Sequence, residues 1–174
     1  MTEKRTVGTE RGKKTRTKSI RMKFTMTRGK QMQRSEFIKA ATDFFERKPM
    51  MLEMRSSDEF ADDENISRVE SELSAVLPDS YKFFLSQFGG GEFGASEFFS
   101  ADAASEYSLV KQNQKWAQIL PSGFLVFNDD QSGGWYMFNK LGDEKVFYFN
   151  PDGELVEIQG KGILDFISEQ AFLR

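Results

Sequence analysis

Apolar residues recur at helical spacing in the first half of the chain. A stripe with intervals of three, four and three residues consists of Ile66, Val69, Leu73 and Val76. A second stripe, spaced i, i+3, i+4 and i+7, consists of Tyr81, Phe84, Leu85 and Phe88. Such stripes are typical of amphipathic helices that bury one side. We therefore expect two consecutive helices, separated near Pro78.

Residues around these stripes mark where the helices begin and end. Pro78 suits a first helical turn, because its missing N–H costs nothing there. Residues 89–91 are all glycine, and glycine accepts the positive φ that ends a helix. An earlier helix is predicted with Ser35 as its N-cap. Its apolar side consists of Phe37, Ala41, Phe44 and Phe45. The polar residues 55–64 between the helices are predicted to form an acidic loop.

The period changes to short β-branched and aromatic runs in the second half. The runs are residues 124–127, 135–138, 146–149 and 155–158. Polar turns separate them, and the turn at residues 150–153 contains Pro, Asp and Gly, which favour tight turns. Connections this short require antiparallel strands, so we predict a β-meander. A last helix over residues 162–172 offers Ile163, Phe166 and Ile167 to the sheet. The fold class is therefore α+β, with N-terminal helices, an antiparallel meander and a C-terminal helix.

The pattern between these halves is mixed. Residues 97–99 are compatible with a strand, and residues 109–120, which include Trp116, are compatible with a helix. The meander runs are aromatic on both alternating faces, and one face has to meet the helices. We expect the other face either to be partly exposed or covered by a partner, or to be covered by the N-terminal helix; the pattern leaves both alternatives open.

The composition of the chain excludes several classes of function. The chain has 174 residues, 18 Phe, no Cys and no His, so it lacks disulfides, thiolate metal sites and the usual general base near neutral pH. No apolar run approaches the length of a membrane span, and no secretory leader is visible. We therefore predict a cytoplasmic protein that is not an enzyme, with one core.

Charge divides the chain into two parts. Residues 1–34 carry a net charge of +10 and residues 35–174 carry −13, within a total of −3. We expect residues 1–34 to be a disordered basic leader and residues 35–174 to be a single domain. A nucleic-acid-binding arm is one interpretation of the leader. We favour a misassigned start, because residues 28–31 are compatible with a ribosome-binding sequence just upstream of a start codon for Met32.

Three short motifs resemble ligand-binding or catalytic sites but have simpler structural interpretations. Residues 89–94 match a dinucleotide-binding glycine pattern, yet a helix precedes them where that fold requires a strand. Residues 128–133 faintly resemble a calcium loop, but they lack its final bidentate Glu. Neighbouring carboxylates at 62–64 and 129–130 point in different directions and are interpreted as solvated loops. We therefore expect no cofactor, no metal and no small-molecule substrate.

The order of helix, Leu-Pro helix, glycine stop, meander and last helix resembles the SUKH superfamily over about residues 37–172. The matching positions are Glu70, Leu77, Pro78, Tyr81, Leu85, Gly90, Gly91, Asp130, Gly133 and Tyr136. Gly89 and Ser80 depart from the usual Asn and Asp. The resemblance implies a scaffold that binds another protein. Many such proteins are bacterial immunity proteins paired with polymorphic toxins, and others resemble fungal cell-wall-synthesis regulators.

The resemblance, together with the acidic body, implies a bacterial immunity protein that neutralises a nuclease-type toxin by direct binding. The alternative is a regulatory scaffold of the cell-wall-regulator kind. An acidic body repels nucleic acid and attracts a basic partner. The predicted partner-binding residues, on the hairpin loop and around it, are Asp129, Asp130, Trp135, Glu92 and Tyr107.

Overall fold

The computed structural model describes residues 31–53, 58–93 and 95–172. The predictions for residues 1–30 lie outside this part of the chain. Six helices are described: α1 (Arg34–Arg47), α2 (Pro49–Glu53), α3 (Asp63–Leu73), α4 (Asp79–Phe88), α5 (Leu109–Lys115) and α6 (Ile163–Ala171). Six strands accompany them: β1 (Gly91–Phe93), β2 (Ser96–Phe98), β3 (Phe124–Asp129), β4 (Trp135–Asn139), β5 (Lys145–Phe149) and β6 (Leu155–Gly162). The predicted α+β class is confirmed.

The six strands form one antiparallel sheet in the order of the sequence, β1 to β6. Strands β3, β4 and β5 pair in a meander, with Asp129 opposite Trp135 and Trp135 opposite Phe149. The register shifts between Val126 and Asn128, so Phe127 is an extra residue that turns its ring to the helices. The meander follows from its short polar turns, as predicted.

The helix-facing side of the sheet is packed with aromatic rings. Tyr81 of α4 contacts Phe127 and Phe138, with ring centroids 5.3 and 5.2 Å apart. Phe166 of α6 contacts Tyr136, with centroids 4.4 Å apart. Phe37 of α1 is fully buried and its ring packs edge-on against those of α4. These rings carry large apolar areas, and their burial is the main favourable contribution to the core.

Much of the opposite side of the sheet is covered by the chain itself. Its residues Val126, Trp135, Met137 and Phe149 are all at most 8% exposed. Trp116, which follows α5, packs on Trp135 with ring centroids 5.4 Å apart. The expected exposure is therefore wrong for these four residues, whereas Phe124 and Phe147 on the same side are half-buried. The alternative that the N-terminal helix covers this side is wrong. That helix packs on α4 and α6 instead.

Strands β2 and β3 separate soon after they meet. They share the residue pair Phe98–Asn128, followed by a hydrogen bond from the Phe99 N–H to the Phe127 carbonyl of 2.9 Å. Beyond it, the amide of Asn113 in α5 takes the place of a strand. Its Nδ2 donates to the Val126 carbonyl and its Oδ1 accepts from the Val126 N–H, both at 2.9 Å. The hydroxyl of Tyr81 donates to the Phe99 carbonyl at 2.5 Å.

Glu70 joins the two helices of the Leu-Pro block. Its Oε1 accepts the Leu77 N–H at 2.8 Å and contacts the Lys82 ammonium at 2.7 Å. Burial alone would raise the pKa of Glu70, but the Lys82 ammonium and the Leu77 N–H outweigh it and hold the pKa below its ordinary value. Lys82 is therefore part of the helix junction.

Several predicted boundaries are corrected by local geometry. Ser74 adopts left-handed φ of 49° and ends α3, so Val76 lies outside the helix and is 51% exposed. The acidic loop is shorter than expected, because the Asp62 side chain accepts the Asn65 N–H and caps α3 there. Gln33, not Ser35, precedes α1. The helix expected over residues 109–120 ends at Lys115.

None of the helices in the described ranges combines the length and the apolar character that a bilayer crossing requires.

We expect Tyr81→Phe to lower the free energy of unfolding by about 1–3 kcal/mol, because the buried Phe99 carbonyl loses its donor. Tyr81 is fully buried, so water cannot replace the hydroxyl without opening the core. Urea denaturation followed by circular dichroism measures the change. Tyr107→Phe is the matched control and should cost less, because its partly exposed partner Glu92 remains accessible to water. Equal losses for both variants would contradict a structural role for the Tyr81 hydroxyl.

Candidate functional site

Two glutamates face each other on the β1–β2 hairpin. Glu92 is the central residue of β1 and pairs directly with Glu97 of β2. Their neighbours Phe93 and Phe98 point into the core at 3% and 0% exposure, and strand alternation therefore turns both carboxylates to the other side of the sheet. Like charges in direct cross-strand pairs destabilise a sheet. The hairpin thus holds an unfavourable charge pair at its surface.

Two further carboxylates extend this pair. Asp129 at the end of β3 and Glu106 in the loop before α5 both act electrostatically on Glu97. We call Glu92, Glu97, Glu106 and Asp129 the acidic cluster. Burial, followed by the negative charges of its three neighbours, raises the pKa of Glu97 above its ordinary value. The cluster therefore favours protonation or a cationic partner.

The acidic cluster lacks an internal counter-charge within the described residues. The ion pairs found there involve other carboxylates, among them Glu70, Glu72 and Glu157. Gln131 donates to Glu97 at 3.3 Å and its backbone N–H donates to Asp129 at 2.6 Å. These neutral donors orient the carboxylates without cancelling their charge. In the same ranges, no group of acidic side chains is arranged to hold a metal ion.

Tyr107 fixes one carboxylate of the cluster. Its hydroxyl donates to Glu92 Oε1 at 2.8 Å, and its backbone N–H donates to the Ser105 hydroxyl at 2.9 Å. The hydrogen bond to Glu92, reinforced by burial and the nearby carboxylates, raises the pKa of Tyr107 well above its ordinary value. The phenol therefore stays protonated and keeps Glu92 in place.

Trp135 lies behind the acidic cluster rather than on its surface. The residue pairs with Asp129 across the β3–β4 ladder, and its ring stacks on Phe149 with centroids 6.0 Å apart. The side chain is 8% exposed, and its Nε1 has no hydrogen-bond partner among the described residues. In this position Trp135 supports the strand ends that carry Asp129.

Asp130 points away from the cluster. Its carboxylate accepts the Tyr148 hydroxyl at 2.6 Å and the N–H groups of Ser132 and Gly134 at 2.7 and 2.8 Å. Tyr148 stacks near Tyr136 on the helix-facing side of the sheet. Burial alone would raise the pKa of Asp130, but these hydrogen bonds outweigh it and hold the pKa below its ordinary value. The residue thus stabilises the β3–β4 turn.

The structure brings together three of the five predicted residues, namely Glu92, Tyr107 and Asp129. Trp135 adjoins them from beneath, and Asp130 lies on the other side. The sequence interpretation missed Glu97 and Glu106. The sequence contains a signal that Glu97 lies opposite Glu92. Two residues separate Phe93 from Ser96, and a hairpin connection of that length sets this register.

Comparison with known proteins agrees with this architecture. The family SUKH_6, described as SMI1-KNR4 cell-wall, matches residues 63–167, which is more than half of the chain. The chain belongs to this family, and the resemblance to the SUKH superfamily is confirmed. The matched range begins at α3 and ends within α6, so it includes both the Glu70 junction and the acidic cluster.

A solved structure has a similar fold. It is a protein from Pseudomonas syringae pv. tomato, with a TM-score of 0.57 and 16% sequence identity, covering 72% of this chain and 96% of that one. At this identity the likeness concerns the fold alone. A comparison with curated proteins finds no match.

We expect Glu97→Gln to raise the free energy of unfolding at pH 7 by up to about 1 kcal/mol, because it removes a like-charge pair. The folded state raises the pKa of Glu97, so ionisation of this group lowers stability as the pH rises through that pKa. The advantage of the variant should disappear below the ordinary value of 4.5, where Glu97 is protonated. Urea denaturation at several pH values measures it.

The matched control for this prediction is Glu157→Gln. Glu157 also lies on a strand, but its carboxylate pairs with Lys145 at 3.0 Å. Neutralising it should leave stability unchanged or slightly lower at pH 7. A gain of equal size for both variants would indicate a general effect of net charge and contradict local repulsion at Glu97.

We expect Asp130→Asn to lower the free energy of unfolding at pH 7 by about 1–2 kcal/mol through weaker turn hydrogen bonds. Since folding lowers the pKa of Asp130, its contribution is present above the ordinary value of 3.8 and is lost as the pH falls through the folded-state pKa. The difference between variant and parent should therefore shrink on acidification. Asp152→Asn, in an exposed turn, should stay within about 0.5 kcal/mol at every pH. A pH-independent difference for Asp130→Asn would contradict the assignment.

Proposed function

We propose that the chain is a bacterial immunity protein that neutralises a basic, nuclease-type toxin by direct binding through its acidic cluster. The observation that carries the proposal is the direct pairing of Glu92 with Glu97, joined by Asp129 and Glu106. Repulsion among these carboxylates lowers stability when the protein is alone. A cationic partner removes that repulsion, and part of the binding energy has this origin.

The charge of the body supports such a partner. Residues 35–174 carry a net charge of −13, which attracts a basic protein from a distance and accelerates association. Nuclease domains are a suitable class, because proteins that bind nucleic acid present clustered Lys and Arg to phosphates. An inhibitor with an acidic surface can occupy the same basic groove. Binding would take place in the cytoplasm, where such a toxin acts.

The rigidity of the site also supports binding rather than catalysis. Tyr107 and Gln131 hold carboxylates of the cluster in place, and the buried Trp135 supports the strand end beneath. Preorganised side chains lose little conformational entropy on association. Membership of the SUKH_6 family is consistent with a protein-binding scaffold.

A regulatory scaffold is the second candidate. The description of the matching family names cell-wall proteins, which favours a regulator of cell-wall synthesis. Such a role would use the same surface for a different protein partner. The two candidates differ in what deletion of the gene would remove. Loss of an immunity protein would remove protection from its toxin, and loss of a regulatory scaffold would remove control of wall assembly.

The test neutralises two carboxylates without changing side-chain shape. We expect Glu97→Gln combined with Asp129→Asn to slow association with a purified basic toxin domain of the nuclease type by about tenfold at low salt and less at high salt. Surface plasmon resonance at two ionic strengths measures the rate. Melting curves establish that the variant is folded.

The matched control is Asp152→Asn combined with Glu154→Gln, in the β5–β6 turn. It changes net charge by the same amount at another place on the surface. Its association rate should fall only slightly. Equal rates for the two double variants would exclude the acidic cluster as the docking site, and absence of any binding to the toxin domain would favour the regulatory scaffold.

A further inference from the structure

An apolar projection lies at the end of the meander remote from the acidic cluster. Leu141, in the β4–β5 turn, is 84% exposed and the neighbouring Val76 is 51% exposed. The two residues form a parallel bridge, and the Val76 N–H donates to the Lys140 carbonyl at 2.9 Å. The Leu141 N–H donates to Asn139 Oδ1 at 3.0 Å. The turn therefore holds the leucine outward in a defined position.

Glycine at position 142 is required by this arrangement. Gly142 has φ of +80°, and a Cβ there would lie 2.8 Å from Val76 Cγ1. Any other residue would strain the backbone and push against Val76. The close approach of the two segments thus fixes Leu141 beside Val76 as one contiguous apolar projection. Single exposed apolar residues need no explanation, whereas two held side by side form a small apolar patch that a partner can cover.

An open cavity of about 200 Å³ lies next to the projection. Its walls come from the end of α3, the segment after α5 and the start of β3. Apolar side chains of Leu73, Ala117, Leu120 and Phe124 contribute to the lining, together with Glu72 and Lys140. Apolar cavities of about 150 Å³ accept a benzene-sized group, so this one has room for a leucine side chain.

We propose that two copies of this chain associate by exchanging these features, with Leu141 of each protomer entering the cavity of its partner. A two-fold interface must be self-complementary, because the same patch serves both protomers. Here the projection and the cavity are adjacent, since Lys140 lines the cavity and precedes Leu141 in the chain. One rotation axis between them therefore brings each leucine to the other protomer's cavity.

The charges around the cavity fit the same symmetry. Glu72 is acidic, and its 42% exposed side chain pairs with Arg68 through Oε1 alone at 2.9 Å, a weak surface pair that leaves Oε2 for a further cation. Lys140 is basic, with its Nζ donating to the Leu73 carbonyl at 3.2 Å. Both signs are present on one patch, so a two-fold rotation sets Lys140 of one protomer against Glu72 of its partner. A partner of a single charge, such as a basic toxin, would meet Lys140 unfavourably. Charge complementarity therefore favours a second copy as the occupant.

This interface is independent of the proposed function. The cavity includes Phe124 at the start of β3, whereas Asp129 of the acidic cluster is the last residue of that strand. Six strand residues separate the two ends by about 17 Å at the usual rise per residue. A dimer formed at the cavity therefore leaves both acidic clusters accessible.

Sedimentation velocity of the full-length chain over a range of concentrations tests the proposal. We expect a reversible monomer–dimer equilibrium. Leu141→Asp should weaken it by about tenfold to a hundredfold, because burial of a leucine side chain corresponds to a change of that size in the association constant. Ala117→Phe, which fills the cavity from an exposed position, should weaken it similarly. Phe60→Asp is the control, since Phe60 is 64% exposed and does not line the cavity.

A crosslinking experiment locates the contact. The chain has no cysteine, so Leu141→Cys and Ala117→Cys can be introduced in separate chains, which are then mixed and oxidised. A disulfide-linked heterodimer, with less product for a Phe60→Cys chain mixed with Leu141→Cys, is expected. A monomer at every concentration would overturn the proposal, as would a dimer that Leu141→Asp leaves unchanged. If the chain is monomeric and Leu141→Asp instead weakens binding of the toxin domain, the cavity serves that partner and the two-copy proposal is wrong.

Discussion

The architecture depends on which groups provide hydrogen-bond partners for the backbone where β2 separates from β3. Buried N–H and carbonyl groups require partners, and the separating strands no longer provide them. Side chains from two helices take over: the Tyr81 hydroxyl donates to the Phe99 carbonyl, and the Asn113 amide binds both polar groups of Val126. These bonds fix α4 and α5 relative to the meander. The Glu70 junction then fixes α3 relative to α4.

The acidic cluster lies on the side of this junction where β2 and β3 stay together. The β1–β2 ladder sets Glu92 opposite Glu97, and the pair Phe98–Asn128 brings Asp129, at the end of β3, close to Glu97. The core residues Phe93 and Phe98 hold the hairpin down, and their burial offsets the repulsion between the carboxylates. Stability from packing thereby supports a surface that is electrostatically unfavourable in isolation. Violations of local preference of this kind are characteristic of functional surfaces.

The sequence predicts the helices and strands whose signals are local. It fails where segments distant in the chain determine whether a side chain is buried or exposed. The meander and the helices with Tyr81 and Ile163 follow from period and turn residues. Val76 was misplaced, because the left-handed Ser74 ends α3 without a glycine signal. Trp135 was expected at the surface, yet Trp116 covers it from a segment whose position no pattern specifies. Asp129 and Asp130 are adjacent, but pleating sends their carboxylates to opposite sides.

The narrow attachment of the β1–β2 hairpin has an evolutionary consequence. The backbone ladder between β2 and β3 consists of one residue pair and one following hydrogen bond, to which the side chains of Asn128 and Gln131 add bonds to the hairpin, while the meander keeps its own ladders. Substitutions at the surface positions of the hairpin can therefore alter the spacing and tilt of its charges with little effect on the remaining strands. The charge pattern of this surface is thereby free to diverge between relatives, while the buried residues of the hairpin and the ladders of the meander preserve the fold.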